Sequence, residues 1–298
     1  MRLITFSQNR QQRIGVLTED GKTIVDLVKA DRTLPKDMNA LIGAGVGVLK
    51  KVARAVKNAG PRALIARNKV KLLAPIPKPI RNVMCVGKNY YDHAHEFDDS
   101  GFNAAKSGAA IPKHPIIFTK MPESVIGPGA SIPAHFDYSK STDYEVELGV
   151  IIGKKGRKIS KGKAFDHVFG YTIINDVTAR EIQRLHNQWF LGKSLDGYCP
   201  MGPYIATKDE VGDIKNLRIE TRVNGELRQN AYVKGMIFDV PTLIKTLSAG
   251  MMLLPGDVIA TGTCTGIGGG FTPPKFLRKG DAVTLSIDKL GVLENKVA

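Results

Sequence analysis

Asp143-Tyr144-Glu145-Val146-Glu147-Leu148-Gly149-Val150-Ile151-Ile152 decides how this chain of 298 residues is read. Laid out as a β-strand, the segment alternates strictly. Tyr144, Val146, Leu148, Val150 and Ile152 take one face, and Asp143, Glu145 and Glu147 take the other. Same-face residues two positions apart lie about 7 Å apart along a strand, so their carboxylates can converge on one point. Gathered anions raise one another's pKa or require a positive partner, and a hard divalent cation served by oxygen ligands is the natural one. Read alone, the same pattern is also that of a polar strand edge facing solvent.

The residues C-terminal to the strand bear on that choice. A second apolar run ends in Asn175-Asp176, directly before Thr178-Ala179-Arg180-Glu181, which has the spacing of a capping box opening a helix over 178–190. A carboxylate at that junction can serve as a third ligand or as a cap. The helix sets Arg180, Gln183 and Asn187 on one side, and Ile182, Leu185 and Trp189 on the other. Gly192-Lys193-Ser194 is not a phosphate-binding P-loop, because Asn187 stands where the first glycine is required. On local grounds Lys193 is either a surface charge or a site cation. The glycine-rich 262–270 comes after a strand but leads into Phe271-Thr272-Pro273-Pro274 and not into a helix. An amide nest for a carboxylate or phosphate and a plain glycine turn both fit it. Further upstream, His93 and Glu96 at i, i+3 share a helical face, whereas His95 falls off it. A carboxylate beside imidazole raises its basicity and suits a water-activating general base, with a surface ion pair as the plain alternative.

Composition bounds the class of protein. With 43 Lys+Arg against 28 Asp+Glu, 43% hydrophobic and 24% charged residues, the chain is globular. No apolar run approaches the roughly 20 residues of a bilayer span. The first fifteen residues contain no signal-peptide core, and three scattered cysteines show no CxxC or zinc spacing. A cytoplasmic setting is therefore expected. Residues 1–78 hold 16 Lys+Arg against 5 Asp+Glu, so most of the formal net charge of +15 sits in the first quarter. Those cations have no interleaved aromatics and no nucleic-acid-binding signature, so they read as a solvated face. Pro75, Pro77 and Pro79 alternate along what looks like an extended tether, dividing the chain into a small basic N-terminal domain, 1–78, and a larger one, 79–298. The first should hold strands over 2–6, 13–17 and Thr23–Asp26, then a helix bearing Val48, Val52 and Val56. The second is a series of short strands broken by Gly and Pro, with few helices, at 90–97, 178–190 and Val240–Ser248. The fold class is α+β, mostly antiparallel β with some α.

Taken together, several stretches resemble the fumarylacetoacetate hydrolase family, in the bacterial form with a small N-terminal domain. They are Val86-Gly87-Lys88-Asn89-Tyr90 through His93 and Glu96, the 143–148 acidic strand, Gly170-Tyr171 through Asn175-Asp176-Val177-Thr178-Ala179-Arg180, Gln188-Trp189 through Ser194, Cys199-Pro200-Met201-Gly202-Pro203, Val223-Asn224-Gly225-Glu226, and Pro255-Gly256-Asp257 through Thr263. All occur in the family's order, over 82–297. The resemblance implies a mixed β-sandwich roll as catalytic domain beside a small N-terminal α/β domain, and commonly a homodimer. It also implies Mg²⁺ or Mn²⁺ held by Glu145, Glu147 and Asp176, with His93 and Glu96 as a water-activating dyad on a mobile lid. Lys193 would stabilise a developing oxyanion, and Arg180, Gln183 and Thr263 would line the substrate site. The sequence departs from the family pattern at Lys88, where Leu or Arg is frequent, at Cys264 in place of a frequent Pro, and over 98–112, a long lid insert. None of the three falls on an expected ligand.

The expected activity is metal-dependent hydrolysis of a C–C bond in a small 2-oxo or 1,3-diketo acid such as an acylpyruvate. The same metal–enolate chemistry supports decarboxylation of oxaloacetate or isomerisation of a 2-hydroxy-diene-dioate. A non-catalytic protein holding nucleic acid or an acidic partner through residues 1–78 is the reading from another class.

Overall fold

The computed structural model describes residues 1–102 and 111–298; residues 103–110 of the insert expected over 98–112 lie outside them. Two sheets organise the chain. The larger has twelve strands, and its centre runs Arg2–Gln8, Cys199–Thr207, Val168–Asn175, Val146–Ile152, Val258–Thr263, Val83–Gly87 and Ile116–Lys120. The smaller has five, in the order Glu226–Tyr232, Arg218–Val223, Ala282–Ile287, Gly291–Val297 and Ser131–Ile132. Pairing is mostly antiparallel, but parallel where Val258–Thr263 meets Val83–Gly87 and where Gly291–Val297 meets Ser131–Ile132. The mixed β roll of the α+β class is what the sequence led one to expect.

The acidic segment differs from the expected continuous strand. Regular pairing begins only at Val146; Thr142–Asp143 forms a separate short strand against Thr178–Ala179, and Tyr144–Glu145 is the break between them. Nor is the segment a solvent-facing edge. Val146–Ile152 is buried along its whole length between Val168–Asn175 and Val258–Thr263. Val146, Leu148, Val150 and Ile152 pack into a core shared with Ile219, Val223, Leu285 and Leu293 of the smaller sheet. Ile151 points into a second core, with Leu41, Ile42 and Val52 of the N-terminal helices. Each such fully buried side chain contributes about 1.5–3 kcal/mol, which makes this strand the axis of the structure.

The helix expected over 178–190 is broken into Arg180–Leu185 and Phe190–Lys193. The capping box does not form. The residue at the cap is Ala179, and the Thr178 hydroxyl instead donates to the Asp176 carbonyl at 2.9 Å, because Thr178 is held in the short strand. Helices Val48–Lys57 and Val240–Ser248 stand where the apolar spacing put them, and Tyr91–Asp99 is displaced by a residue or two. The prolines at 75–79 do not make a free tether. Ala74 and Ile76 are buried, and the Pro75 carbonyl accepts a 2.6 Å bond from the Thr5 hydroxyl. Residues on both sides share one sheet, since Arg2 and Leu3 pair with Ala206 and Ile205. Among the described residues, no helix is long and apolar enough to cross a membrane.

Candidate metal centre and active site

Strand register gathers the acids. Val146 lies opposite Asn175, so Glu145 and Asp176 are neighbours just beyond the paired segment, and the Asp176 amide donates to the Glu145 carbonyl at 2.9 Å. The Asn175 side chain accepts from the Glu145 amide at 3.0 Å and pins the break in place. Glu147 pairs across the other side with Thr263, and its carboxylate accepts the Gly262 amide at 2.8 Å. One carboxylate oxygen from each of Glu145, Glu147 and Asp176 lies within 4.8 Å of the others, and all three residues are buried. Three carboxylates at that spacing suit a hard divalent cation such as Mg²⁺ or Mn²⁺.

The electrostatics of the three differ. Burial pushes Glu145 up, but Lys193 and Arg180 more than offset it and hold the carboxyl at about 2. Glu147 is driven well above the ordinary carboxylate range by burial and then by the charges of Asp176 and Glu145, and it forms no ion pair among the described residues. That leaves it the carboxylate with most to gain from a cation. Lys193 Nζ lies 2.8 Å from both Glu145 and Asp176. Burial favours its neutral form, but the two carboxylates outweigh that and keep it an ammonium.

Each expected site residue has a place here. The structure brings His93, Glu145, Glu147, Arg180, Gln183, Lys193 and Thr263 to the lining of a single narrow pocket. Arg180 reaches Glu145 at 2.7 Å and Asp143 at 2.8 Å, and donates to Gln183 at 3.3 Å. The Thr263 hydroxyl donates to the Val146 carbonyl and accepts from Gln229, at 2.9 and 2.8 Å. His93 Nδ1 meets Glu96 at 3.1 Å on the helix Tyr91–Asp99, while His95 is exposed on it. The glycine-rich loop is an amide nest whose occupants belong to this chain. Gly268 and Gly269 donate to Asp143 at 2.7 and 2.9 Å, and Gly266 donates to Glu96 at 2.8 Å. Asp143 thus serves as an anchor for Arg180 and stands apart from the triad.

Two residues, Lys120 and Gln229, escaped the sequence reading, and a third, Lys88, was noted there only as a departure from the family pattern. Lys120, at the end of Ile116–Lys120, has no exposed surface; its Nζ is 2.7 Å from Asp176, 2.9 Å from the Val177 carbonyl, and also donates to the Lys193 carbonyl. Gln229, reaching in from the smaller sheet, bonds the Val146 amide, Thr263 and the Cys264 carbonyl at 3.1, 2.8 and 2.8 Å. Lys88 lines the cavity and pairs with Asp98. A lone lysine and a lone glutamine in alternating strands carry no local signal. Only the register that packs them against the triad reveals them.

Comparison with known proteins gives the family. The family model for the fumarylacetoacetate (FAA) hydrolase C-terminal region matches residues 82–298. The oxaloacetate tautomerase YisK of Bacillus subtilis is 45% identical over 309 aligned positions, covering 100% of both chains. A solved fumarylacetoacetate hydrolase from Exiguobacterium antarcticum is 42% identical, with a TM-score of 0.83 over 100% of this chain and 99% of that one. A maleylpyruvate hydrolase from Sphingobium sp. SYK-6, solved with manganese(II) and pyruvate, is 29% identical, with a TM-score of 0.79 over 100% of this chain and 99% of that one. Buried acidic triad, imidazole–carboxylate pair, roll of two sheets and full-length relatives all lead to one statement: the chain belongs to the fumarylacetoacetate hydrolase family.

Proposed function

We propose that the protein is a divalent-metal-dependent enzyme acting on a small 2-oxo diacid, and that it moves a proton to interconvert the keto and enol forms of oxaloacetate. The observation that carries this is the gathering of three buried carboxylates, two of which line one narrow pocket together with His93, whose Nδ1 meets Glu96. The choice of reaction leans on the full-length relative named as an oxaloacetate tautomerase. It moves the first reading away from hydrolysis, which the sequence had favoured.

Glu145, Glu147 and Asp176 are the residues that would hold Mg²⁺ or Mn²⁺. When bound there, a divalent cation supplies Lewis acidity to a 2-oxo carboxylate. Glu96, itself held by the Gly266 amide, accepts a hydrogen bond from His93 Nδ1–H and so leaves Nε2 as the base. Nε2 takes a proton from the carbon beside the 2-oxo group and returns it to the oxygen, or the reverse. Placed acid–base groups of this kind contribute about 10²–10⁴-fold. Lys193 stays charged and fixes two of the three carboxylates, and Arg180, clamped by Asp143, fixes Glu145 from the other side. Cytoplasmic residence and a homodimer belong to the same proposal. The buried free thiols of Cys85, Cys199 and Cys264 support the first, and the exposed Leu185 and Leu191 beside Arg180 and Lys193 support the second.

C–C hydrolysis stands as the second reading, on the likeness to maleylpyruvate hydrolase, because the same His93–Glu96 pair can deprotonate water. The test tracks the ultraviolet absorbance of enol oxaloacetate with and without EDTA, beside product assays on acylpyruvate and a dienoate. Accelerated keto–enol exchange that chelation abolishes is expected. Cleavage of acylpyruvate without any effect on the enol would restore hydrolysis to first place, and full turnover after thorough chelation would remove the metal.

A further inference from the structure

We propose that Lys88 receives the carboxylate remote from the 2-oxo acid end of the substrate and so makes the site selective for diacids over monoacids. The assignment rests on the proposal that a 2-oxo acid binds at the triad, and it adds which kind.

Lys88 comes directly after the strand Val83–Gly87, whose last residue passes flush over Trp189. A Cβ on Gly87 would run into the indole ring, so only glycine allows the approach. The chain then turns through a left-handed residue, Lys88 at φ 51°, before the helix Tyr91–Asp99 begins. That turn directs the Lys88 side chain inward. It is 8% exposed, it lines the cavity, and its ammonium lies 5.6 Å from the Phe97 ring centre and pairs with Asp98.

The cavity's other cations are already spoken for. Arg180 is held between Asp143 and Glu145, and Lys193 between Glu145 and Asp176, all of them anchored to the sheet. Lys88 differs on two counts. The carboxylate it meets lies on the helix that carries His93 and Glu96, and it meets one carboxylate where Lys193 meets two, so more of its three ammonium donors are left for a ligand. A diacid whose 2-oxo end is at the triad has a second carboxylate to place, and Lys88 lies at the Phe97 side of the same pocket. Lys193 also borders the aromatic wall, 5.0 Å from the Phe118 ring centre, but it is bound to two triad acids, whereas Lys88 is not bound to any of them. A monoacid would leave Lys88 unanswered.

Oxaloacetate and 2-oxobutyrate make the comparison, since they share four carbons and the 2-oxo carboxylate and differ only in the distal group. Trp189 is the single tryptophan of the chain and lines the cavity, so its fluorescence reads binding within the dead time of a stopped-flow mixer, before oxaloacetate decays. In the Mg²⁺-loaded protein, oxaloacetate should bind about ten- to a hundredfold tighter than 2-oxobutyrate, the range expected of one buried charge-assisted hydrogen bond. Lys88→Met should bring that ratio close to one while 2-oxobutyrate affinity holds, and Lys88→Arg should keep most of it. A ratio unmoved in Lys88→Met, with both ligands bound, overturns the assignment alone. Binding of neither acid by the unsubstituted protein overturns the 2-oxo-acid proposal and this one with it.

Discussion

Replacing Lys120 by Met tests whether the buried lysine behind the triad is structural in the sense the geometry implies. Lys120 has no exposed surface, and its ammonium is 2.7 Å from Asp176 and bonds the carbonyls of Val177 and Lys193. Methionine fills much the same volume, so packing is nearly conserved and the change is electrostatic. Removing one partner of a buried pair costs about 3–5 kcal/mol. Asp176 keeps Lys193 at 2.8 Å, which places the ionic loss near the bottom of that range. Two orphaned carbonyls add about 1 kcal/mol each. A total of about 4–5 kcal/mol corresponds to a fall in Tm on the order of 10 °C for a chain of this size. Thermal unfolding in EDTA is the assay, and repeating it in excess Mg²⁺ should recover part of the loss, because a bound cation gives Asp176 another positive neighbour. A metal-free Tm within about 2 °C of the parent would refute the reasoning, since the pair would then contribute no more than a surface salt bridge.

Two further outcomes concern the site itself. His93→Asn should keep Mg²⁺ affinity within a few-fold, because His93 is not among the triad, yet lower the rate of proton transfer by about 10²–10⁴-fold; calorimetry and the enol assay together decide, and normal turnover would remove His93 as the base. Glu147 sets a pH dependence. Burial and the neighbouring charges of Asp176 and Glu145 raise its pKa, so in the metal-free protein it is neutral below that raised value and must lose its proton to bind a cation. Mg²⁺ affinity should therefore rise with pH below that value, with about one proton released per ion, and a pH-indicator titration showing no release, or equal release from Glu147→Gln, contradicts it.

Much of the site was legible because its chemistry is written locally. The pair His93–Glu96 needs only one turn of helix to meet, and Glu145 and Glu147 need only an apolar run on which to alternate. What failed to show were relations set by register. The uninterrupted apolar run Leu148-Gly149-Val150-Ile151-Ile152 is buried on both faces, yet the acids at its start left a solvent-facing edge open as the alternative to a cation site. Thr178 and Glu181 have capping-box spacing, but pairing of Thr178–Ala179 with Thr142–Asp143 holds Thr178 in extended backbone. Lys120 meets Asp176 across 56 residues, and nothing in its neighbourhood distinguishes it from a surface lysine. Lys88 was visible as a departure from the family pattern, and the left-handed turn that sends it inward was not.

The pairing of Arg2–Gln8 with Cys199–Thr207 has a consequence for how such chains can be cut and recombined. Leu3, Ile14 and Val16 fill the same core as Ile151, Phe169 and Ile205, so the basic first quarter is a wall of the building and not an annexe. A fragment opening at residue 82, where the family model starts, would leave Ile205 and Ala206 with unanswered backbone groups beside bare apolar surface, an adhesive margin of the kind that recruits foreign strands. Any leading segment grafted onto this catalytic roll must therefore supply a strand that seals that margin as well as whatever else it brings.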